Sequence, residues 1–467
     1  MSKLRLFYTI TLAVLITGCR KELLVEKAVA LKPRSIASTS FSTVTTLQTE
    51  LSIQWNLLLG TGNYMTSNDF IEASSFSTVG QSYYVPKFLL SGTSPFYRAV
   101  NGSKHLVTGS SSGEGAYAIE GVVGYGYSAS SAPAGTVNVF RSYSALYAGY
   151  TLSSPNYSIA SYDSIQYLNK YGYPRYNSNT SLLTLNGTAI GIKSNRVAGG
   201  SIWELSWNGK QFVNTSDYGR LIQSSMNLGN GALPTEGGDK HFSANSSFCH
   251  GSPLIEAYNS GSTQVTTAVP LEWHNEMFNS TGNIHDLIIY KDFKLGKVIT
   301  LDPTLSLGAF NYLKPQIAKY VTTFSTPVNL SDVHIEIPTG YLNMEFSRFF
   351  EIDATNSNLN AGLTEVLLNE NESQQSPFHD AGGIVLATQN LDYAMGIYIN
   401  IVNSKSTDDD PNSIYYFRNW RFNDTSKWSA GRYGDISAGA HQYTSYIIVG
   451  TLDDVRTAMR ALSINGY

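Results

Sequence analysis

Leu182-Leu-Thr-Leu-Asn186-Gly187, Ala189-Ile-Gly-Ile192 and Ile202-Trp-Glu-Leu-Ser-Trp207-Asn208-Gly209 decide the fold class. These short apolar or alternating runs suit strands, and each Asn-Gly pair supplies the positive-φ residues that a two-residue hairpin turn requires. Downstream the same texture continues. Strands are expected at Leu254 to Tyr258, Gln264 to Pro270, Leu287 to Phe293, Gly296 to Leu301, Ala318 to Phe324, Ser331 to Ile337, Gly383 to Thr388 and Ala394 to Ile399. Helix is scarce, with one expected from Asp453 to Leu462, where Val455, Met459 and Leu462 share a side behind an acidic first turn. Residues 179–467 therefore read as one large antiparallel β domain. A two-sheet supersandwich accounts for that length better than a small sandwich does.

Upstream of the polar junction Tyr176-Asn-Ser-Asn-Thr-Ser181 the chain repeats itself. Gln54-Trp55-Asn56, Phe96-Tyr97-Arg98 and Val139-Phe140-Arg141 open three units of roughly forty residues. Each continues into a second strand, Asn63-Tyr-Met-Thr-Ser67, Lys104-His-Leu-Val-Thr108 or Gly149-Tyr-Thr-Leu-Ser153. Each closes on an aromatic strand, Ser82-Tyr-Tyr-Val-Pro86, Gly124-Tyr-Gly-Tyr127 or Gly172-Tyr-Pro174. Residues 49–178 are thus expected to form a three-repeat β module. A trefoil-like closure is the first choice and an incomplete propeller the second. The middle unit's Phe96-Tyr-Arg98, His105, Thr108, Glu120-Gly121 and Gly124-Tyr-Gly-Tyr127 resembles a family of uncharacterised secreted repeats often appended to extracellular hydrolases or wall-bound proteins. That resemblance implies a binding or spacer module. The third unit departs from it by carrying Tyr150 where the middle unit has His105.

The N-terminus gives the compartment. Lys3 and Arg5 precede an apolar run from Leu6 to Ile16 that is too short to span a bilayer, followed by Thr17-Gly18-Cys19. Residues 1–18 read as a signal peptide, and Ile16-Thr-Gly-Cys19 resembles the lipobox at which bacteria lipidate a cysteine. Arg20-Lys21-Glu22 lacks the aspartate that would hold the protein at the inner membrane, so an outer-membrane lipid anchor is expected. Residues 19–48, Ser/Thr-rich after Arg34, suit a flexible tether. Cys249 is the only other cysteine, so a lipidated chain has no internal disulfide to rely on. With 42% hydrophobic residues there is ample material for a core, and a net charge of −4 without a basic patch excludes nucleic acid as partner. The 31 Tyr, 20 Phe and 6 Trp among Ser, Thr and Asn suit both a sheet core and a surface on which sugar rings stack.

Gly199-Gly-Ser-Ile-Trp-Glu-Leu-Ser-Trp-Asn-Gly-Lys-Gln-Phe-Val-Asn-Thr-Ser-Asp-Tyr-Gly-Arg220 resembles the opening of galactose-mutarotase-like sugar-binding domains. The resemblance implies a β-supersandwich with a sugar cleft and, for a mutarotase, a histidine acid and a glutamate base. From the residues themselves, Asp217, Arg220, Glu236, Asp239, His241 and His250 fall among Gly229, Gly231, Gly237 and Gly238, in loops suited to a sheet edge. On a strand, Glu272, His274 and Glu276 share one face and Trp273 takes the other. The candidate proton-transfer groups are therefore His241, His250, Glu236 and Glu272. The candidate sugar-binding groups are Arg220, Asp239, Trp273, His274 and Arg348, the last a fork suited to a uronate or a partner for Glu345 or Glu351. Solvated loops and strand faces carry the same residue types. No metal is expected and no cofactor is indicated; phosphate-binding, dinucleotide, nucleophile-elbow and zinc-protease motifs are all absent from the sequence. A glycan-active enzyme and a non-catalytic surface glycan binder both fit, with a polysaccharide or oligosaccharide partner in either case. A ligand-free envelope scaffold is the third reading.

Overall fold

A computed structural model describes residues 48–467 apart from 60–62, 70–71, 74, 79–82, 134–135, 145–148, 154–163, 175–181, 217–219, 230, 239–250, 274–286, 354–362, 379–380 and 402–412. The signal peptide, Cys19 and the tether lie outside the described residues, as do Asp239, His241, His250 and His274. The fold is all-β with antiparallel sheets and a C-terminal helix, α1 (Leu452–Ile464), opened by a capping box between Thr451 and Asp454.

The N-terminal module contains strands β1 (Gln48–Leu58), β2 (Tyr64–Ser67), β3 (Ser77–Thr78), β4 (Tyr83–Pro86), β5 (Thr93–Asn101), β6 (Lys104–Thr108), β7 (Ala118–Tyr127), β8 (Val137–Ser144), β9 (Gly149–Ser153) and β10 (Ser164–Pro174). The three units are equivalent in pairing. The opening strands β1, β5 and β8 each form a hairpin with the strand that follows, placing Trp55 opposite Ser67, Tyr97 opposite Thr108 and Phe140 opposite Ser153. Each opening strand also pairs with its unit's closing strand, β4, β7 or β10. β2, β6 and β9 touch one another pairwise, and β10 pairs with both β4 and β7, so the units close around an axis as in a trefoil. Tyr83 and Val85, Phe96, Val107 and Val123, and Val139 bring all three units into one buried core.

The units are also bolted together by charge. Thr108 Oγ1 hydrogen-bonds Glu114, and Arg141 of the next unit grips the same carboxylate through both Nη atoms at 3.0 and 2.7 Å. One unit earlier, Ser67 Oγ hydrogen-bonds Glu72, which Arg98 of the following unit contacts at 2.6 Å. Ser67 and Thr108 even close the same turn, each accepting from the backbone N–H two residues on at 3.0 Å. The opening strand of the first unit carries Asn56, not arginine, at this position, where Thr66 donates to it at 3.1 Å.

Two sheets build the large domain. One runs Leu254–Ser260, Thr263–Ala268, Lys294–Leu301, Ile317–Thr326, Gly439–Gly450, Ala394–Asn400, Ala381–Ala387, Arg348–Asp353 and Thr364–Val366, with α1 packed on its outer side through Val455, Ala458 and Met459. The other centres on Ile222–Asn227, Leu330–Asn343, Thr425–Ile436, Ile414–Arg421 and Glu372–Phe378 in that order. The inner faces bury Met226, Ile335, Ile337, Phe417 and Trp428 together with Ile299, Tyr320, Phe324, Ile397 and Ile447. β1 joins this second sheet to the module: it pairs with Leu287–Tyr290 through Gln48 to Leu51 and with β4 through Leu51 to Gln54.

Candidate functional site

Strand alternation puts a polar and aromatic face on the second sheet, opposite its core side. Where Ile335, Trp428 and Phe417 point inward, Glu336, Ser429, Lys427, Arg418 and Trp420 point outward. Cross-strand pairs set them side by side, with Ser225 opposite Glu336, Ser429 opposite Arg418, and Lys427 opposite both Tyr341 and Trp420. A register shift between Glu336 and Thr339 inserts Ile337 and Pro338, so both flanking polar side chains stay on this face.

Glu336 is the anion of the face. Lys427 Nζ donates to its Oε1 at 2.8 Å, Ser429 Oγ to the same oxygen at 2.5 Å and Ser225 Oγ to Oε2 at 2.7 Å. Burial alone would raise its pKa, but Lys427 and the two hydroxyls outweigh that and hold the carboxyl below its ordinary range. Lys427, 8% exposed, is kept above its usual value by Glu336 and Tyr341 against the opposing effect of burial. Its ammonium lies 4.5 Å from the Trp420 ring and 5.0 Å from the Tyr341 ring, and the Arg418 guanidinium sits 3.8 Å from the Trp420 centroid. Phe422 extends the array, 6.4 Å from both Trp420 and Tyr341 with near-parallel rings. At the other end, His334 lies on the same strand face as Glu336, with its ring 4.3 Å from Tyr433 and 6.1 Å from Tyr416. Gly431 is required beneath Tyr416, because a Cβ there would lie 2.4 Å from the ring.

The sequence-expected residues are placed as follows. Glu236 is sealed between the sheets at 1% exposure, where it accepts from Lys297 Nζ at 2.5 Å and from the Ser224 N–H at 3.0 Å. Burial pushes Glu236 up and Lys297 down, each toward its neutral form. Glu272 is buried too, accepting from the Leu233 N–H at 2.8 Å and from the Tyr290 hydroxyl at 2.5 Å. The strand holding it is only Leu271–Glu272, Trp273 follows in a turn, and Glu276 lies outside the described residues. Arg220 pairs with Asp424 at 2.8 Å, on the turn that follows Phe422. Arg348 is engaged by Glu365 in a two-bond fork at 2.7 and 2.8 Å, while Lys210 takes Glu345. Glu272 lies on the strand paired with Pro234–Thr235, which leads into Glu236, while Arg220 and Arg348 are each held by a carboxylate.

The outward face was missed because three of its strands, Glu372–Phe378, Ile414–Arg421 and Thr425–Ile436, do not read as apolar runs. Alternation was nevertheless present. Lys427 and Ser429 interleave with Trp428 and Ala430, and His334-Ile335-Glu336 places His334 and Glu336 two apart, the spacing that singled out Glu272 and His274. Among the described residues no cluster of His, Cys, Asp and Glu has the geometry to hold a metal ion.

No family model matches the sequence, and no curated protein matches it. Among solved structures the chain is similar to a galactose mutarotase-like protein from Clostridium acetobutylicum at 9% identity and a TM-score of 0.31, over 60% of this chain and 98% of that one. It is similar also to 4-alpha-glucanotransferase from Thermococcus litoralis, at 9% identity and 0.26, over 58% of this chain and 37% of that one. A heparinase III matches at 9% and 0.28, over 59% and 35%. The chain thus spans about a third of the length of the last two. The likeness is distant.

Proposed function

We propose that this chain is an exported, lipid-anchored glycan-binding protein whose recognition surface is the outward face of the second sheet. The observation that carries the reading is Trp420, a half-buried ring held on a polar sheet face with Arg418 and Lys427 against it. A fixed aromatic ring offers a sugar's C–H face something to stack on, and the surrounding hydroxyl, carboxylate and cationic groups supply donors and acceptors for its hydroxyls. Glu336 held ionised is suited to accepting hydrogen bonds and unsuited to donating a proton. Cys19 as a diacylated N-terminus would hold the protein at the outer membrane.

Retention of the chain on immobilised plant, algal and host polysaccharides tests the reading. Trp420→Ala is expected to weaken the retained interaction about tenfold, the equivalent of about 1.4 kcal/mol, with unchanged thermal stability. Undiminished retention by that variant refutes the assignment of the face. One observation favours a second reading, turnover: His334 and Glu336 share the face, and an ionised carboxylate with an imidazole is the minimum set for acid–base chemistry on a sugar. If wild-type chain releases product or interconverts anomers, His334→Ala should abolish that rate and keep retention. Absence of any turnover across the panel leaves binding alone.

A further inference from the structure

We infer that the three-unit module has a ligand pocket of its own, at the junction of its first and second units, shaped for a neutral, hydroxyl-rich molecule the size of one sugar ring. A cavity of about 500 Å³ opens there, lined by Asp69, Glu72, Arg98, Glu120, Val122 and Val123 among others. That volume falls within the usual range of small-molecule sites. It sits on the clamp that joins the units, with Arg98 between Glu72 at 2.6 Å and Glu120 at 2.8 Å.

The two junctions differ at one position of the repeat. At the second junction Tyr150 lies 5.0 Å from the Arg141 guanidinium and packs on Tyr143 at 4.9 Å and Tyr117 at 6.4 Å, so the arginine is roofed by tyrosine. The pairing registers are equivalent: Tyr150 faces Tyr143 as His105 faces Val100. The smaller imidazole is drawn toward Glu120 at 3.6 Å.

The chemistry of the walls defines the ligand. Every hydrogen bond and ion pair to the carboxylates of Glu72 and Glu120 runs to Oε2, so among the described residues each Oε1 is left as an acceptor. Two acceptors beside one guanidinium suit adjacent hydroxyls, and Val122 and Val123 give the ring an aliphatic floor. Three carboxylates against one arginine repel anions, and burial keeps His105 below its usual pKa, so it adds no positive charge near neutrality.

Calorimetric titration of the full chain with the methyl glycosides of glucose, galactose and mannose, and with methyl glucuronide, tests the pocket. At least one neutral glycoside should bind and the glucuronide should bind more weakly. Val122→Trp, at a position 44% exposed, should block the cavity without touching the clamp, and His105→Tyr should roof Arg98 as Tyr150 roofs Arg141. Each is expected to weaken binding at least tenfold, and if His105→Tyr fails to fold, Val122→Trp decides. No binding of any neutral glycoside at tens of millimolar overturns the inference, as does binding that survives Val122→Trp or that prefers the glucuronide. Trp420→Ala should leave this binding intact, which separates the pocket from the sheet face.

Discussion

Replacing Lys297 with methionine isolates a fully buried ion pair between the sheets. Lys297 and Glu236 have side chains only 2% exposed, at 2.5 Å, and Lys297 also donates to the Gly200 carbonyl. The substitution keeps most of the side-chain volume but strands a carboxylate whose remaining described bond is the Ser224 N–H. Breaking a buried pair from one side typically costs about 3–5 kcal/mol, because the survivor must stay charged without a partner or take up a proton. Burial already pushes Glu236 above the ordinary value of about 4.3, so folding favours its protonated form, and removing Lys297 strengthens that preference. A carboxyl raised in the folded state contributes stability that is present below about pH 4.3 and lost as pH rises through the folded value. The deficit of Lys297→Met should therefore be largest near neutrality and shrink in acid. Urea unfolding at pH 7 and pH 5 measures both, and Glu236→Gln with Lys297→Met should recover most of the loss. A deficit under about 1 kcal/mol at pH 7, or one that grows in acid, would refute the desolvated-pair account.

Glu336 runs the opposite way. Its carboxyl is held low by Lys427 and the serines despite burial, so its contribution is present above about pH 4.3 and lost as pH falls through the folded value; Glu336→Gln should flatten the acid limb of unfolding midpoint against pH. Arg141→Met removes both bonds to Glu114, and since Glu114 can turn to water the expected cost is about 1–3 kcal/mol by denaturant unfolding. Gly340→Ala should cost a similar ~1–3 kcal/mol, seen as a lowered thermal midpoint, because a Cβ there would lie 2.5 Å from the buried Trp428 ring. Cys19→Ser should move the protein from the membrane fraction to the soluble one, and an unchanged membrane-bound share would exclude a lipid anchor.

Residues with a strong local signature were legible. Asn208-Gly209 turned the hairpin that Ile202 to Trp207 announced, with both turn residues at positive φ, and the helix expected over Asp453 to Leu462 appears as Leu452–Ile464. The repeat was legible because its period survives in Tyr97, Phe140 and their hydroxyl partners Thr108 and Ser153. The candidate site was not. Glu236 and Glu272 stood out as carboxylates among glycines, but polarity in sequence does not distinguish a group facing solvent from one neutralised inside; only Lys297, sixty-one positions away, and the Tyr290 hydroxyl reveal the latter. Trp420, Lys427 and Glu336 come together through pairings between distant strands, which periodicity within a segment does not encode.

β1 has a consequence for the order in which the protein can be completed. Its first residues are held by Leu287–Tyr290 and its middle by β4, so a strand near the start of the chain finds the partner of its first four residues only after more than half of the sequence has been made. A chain made from its N-terminus must keep the Gln48 to Leu51 edge unpaired through that interval, and an unpaired edge invites association with other chains. A holding factor, or fast delivery of the rest of the chain, would shorten the wait. Loss of the chain beyond residue 286 would leave the same edge open.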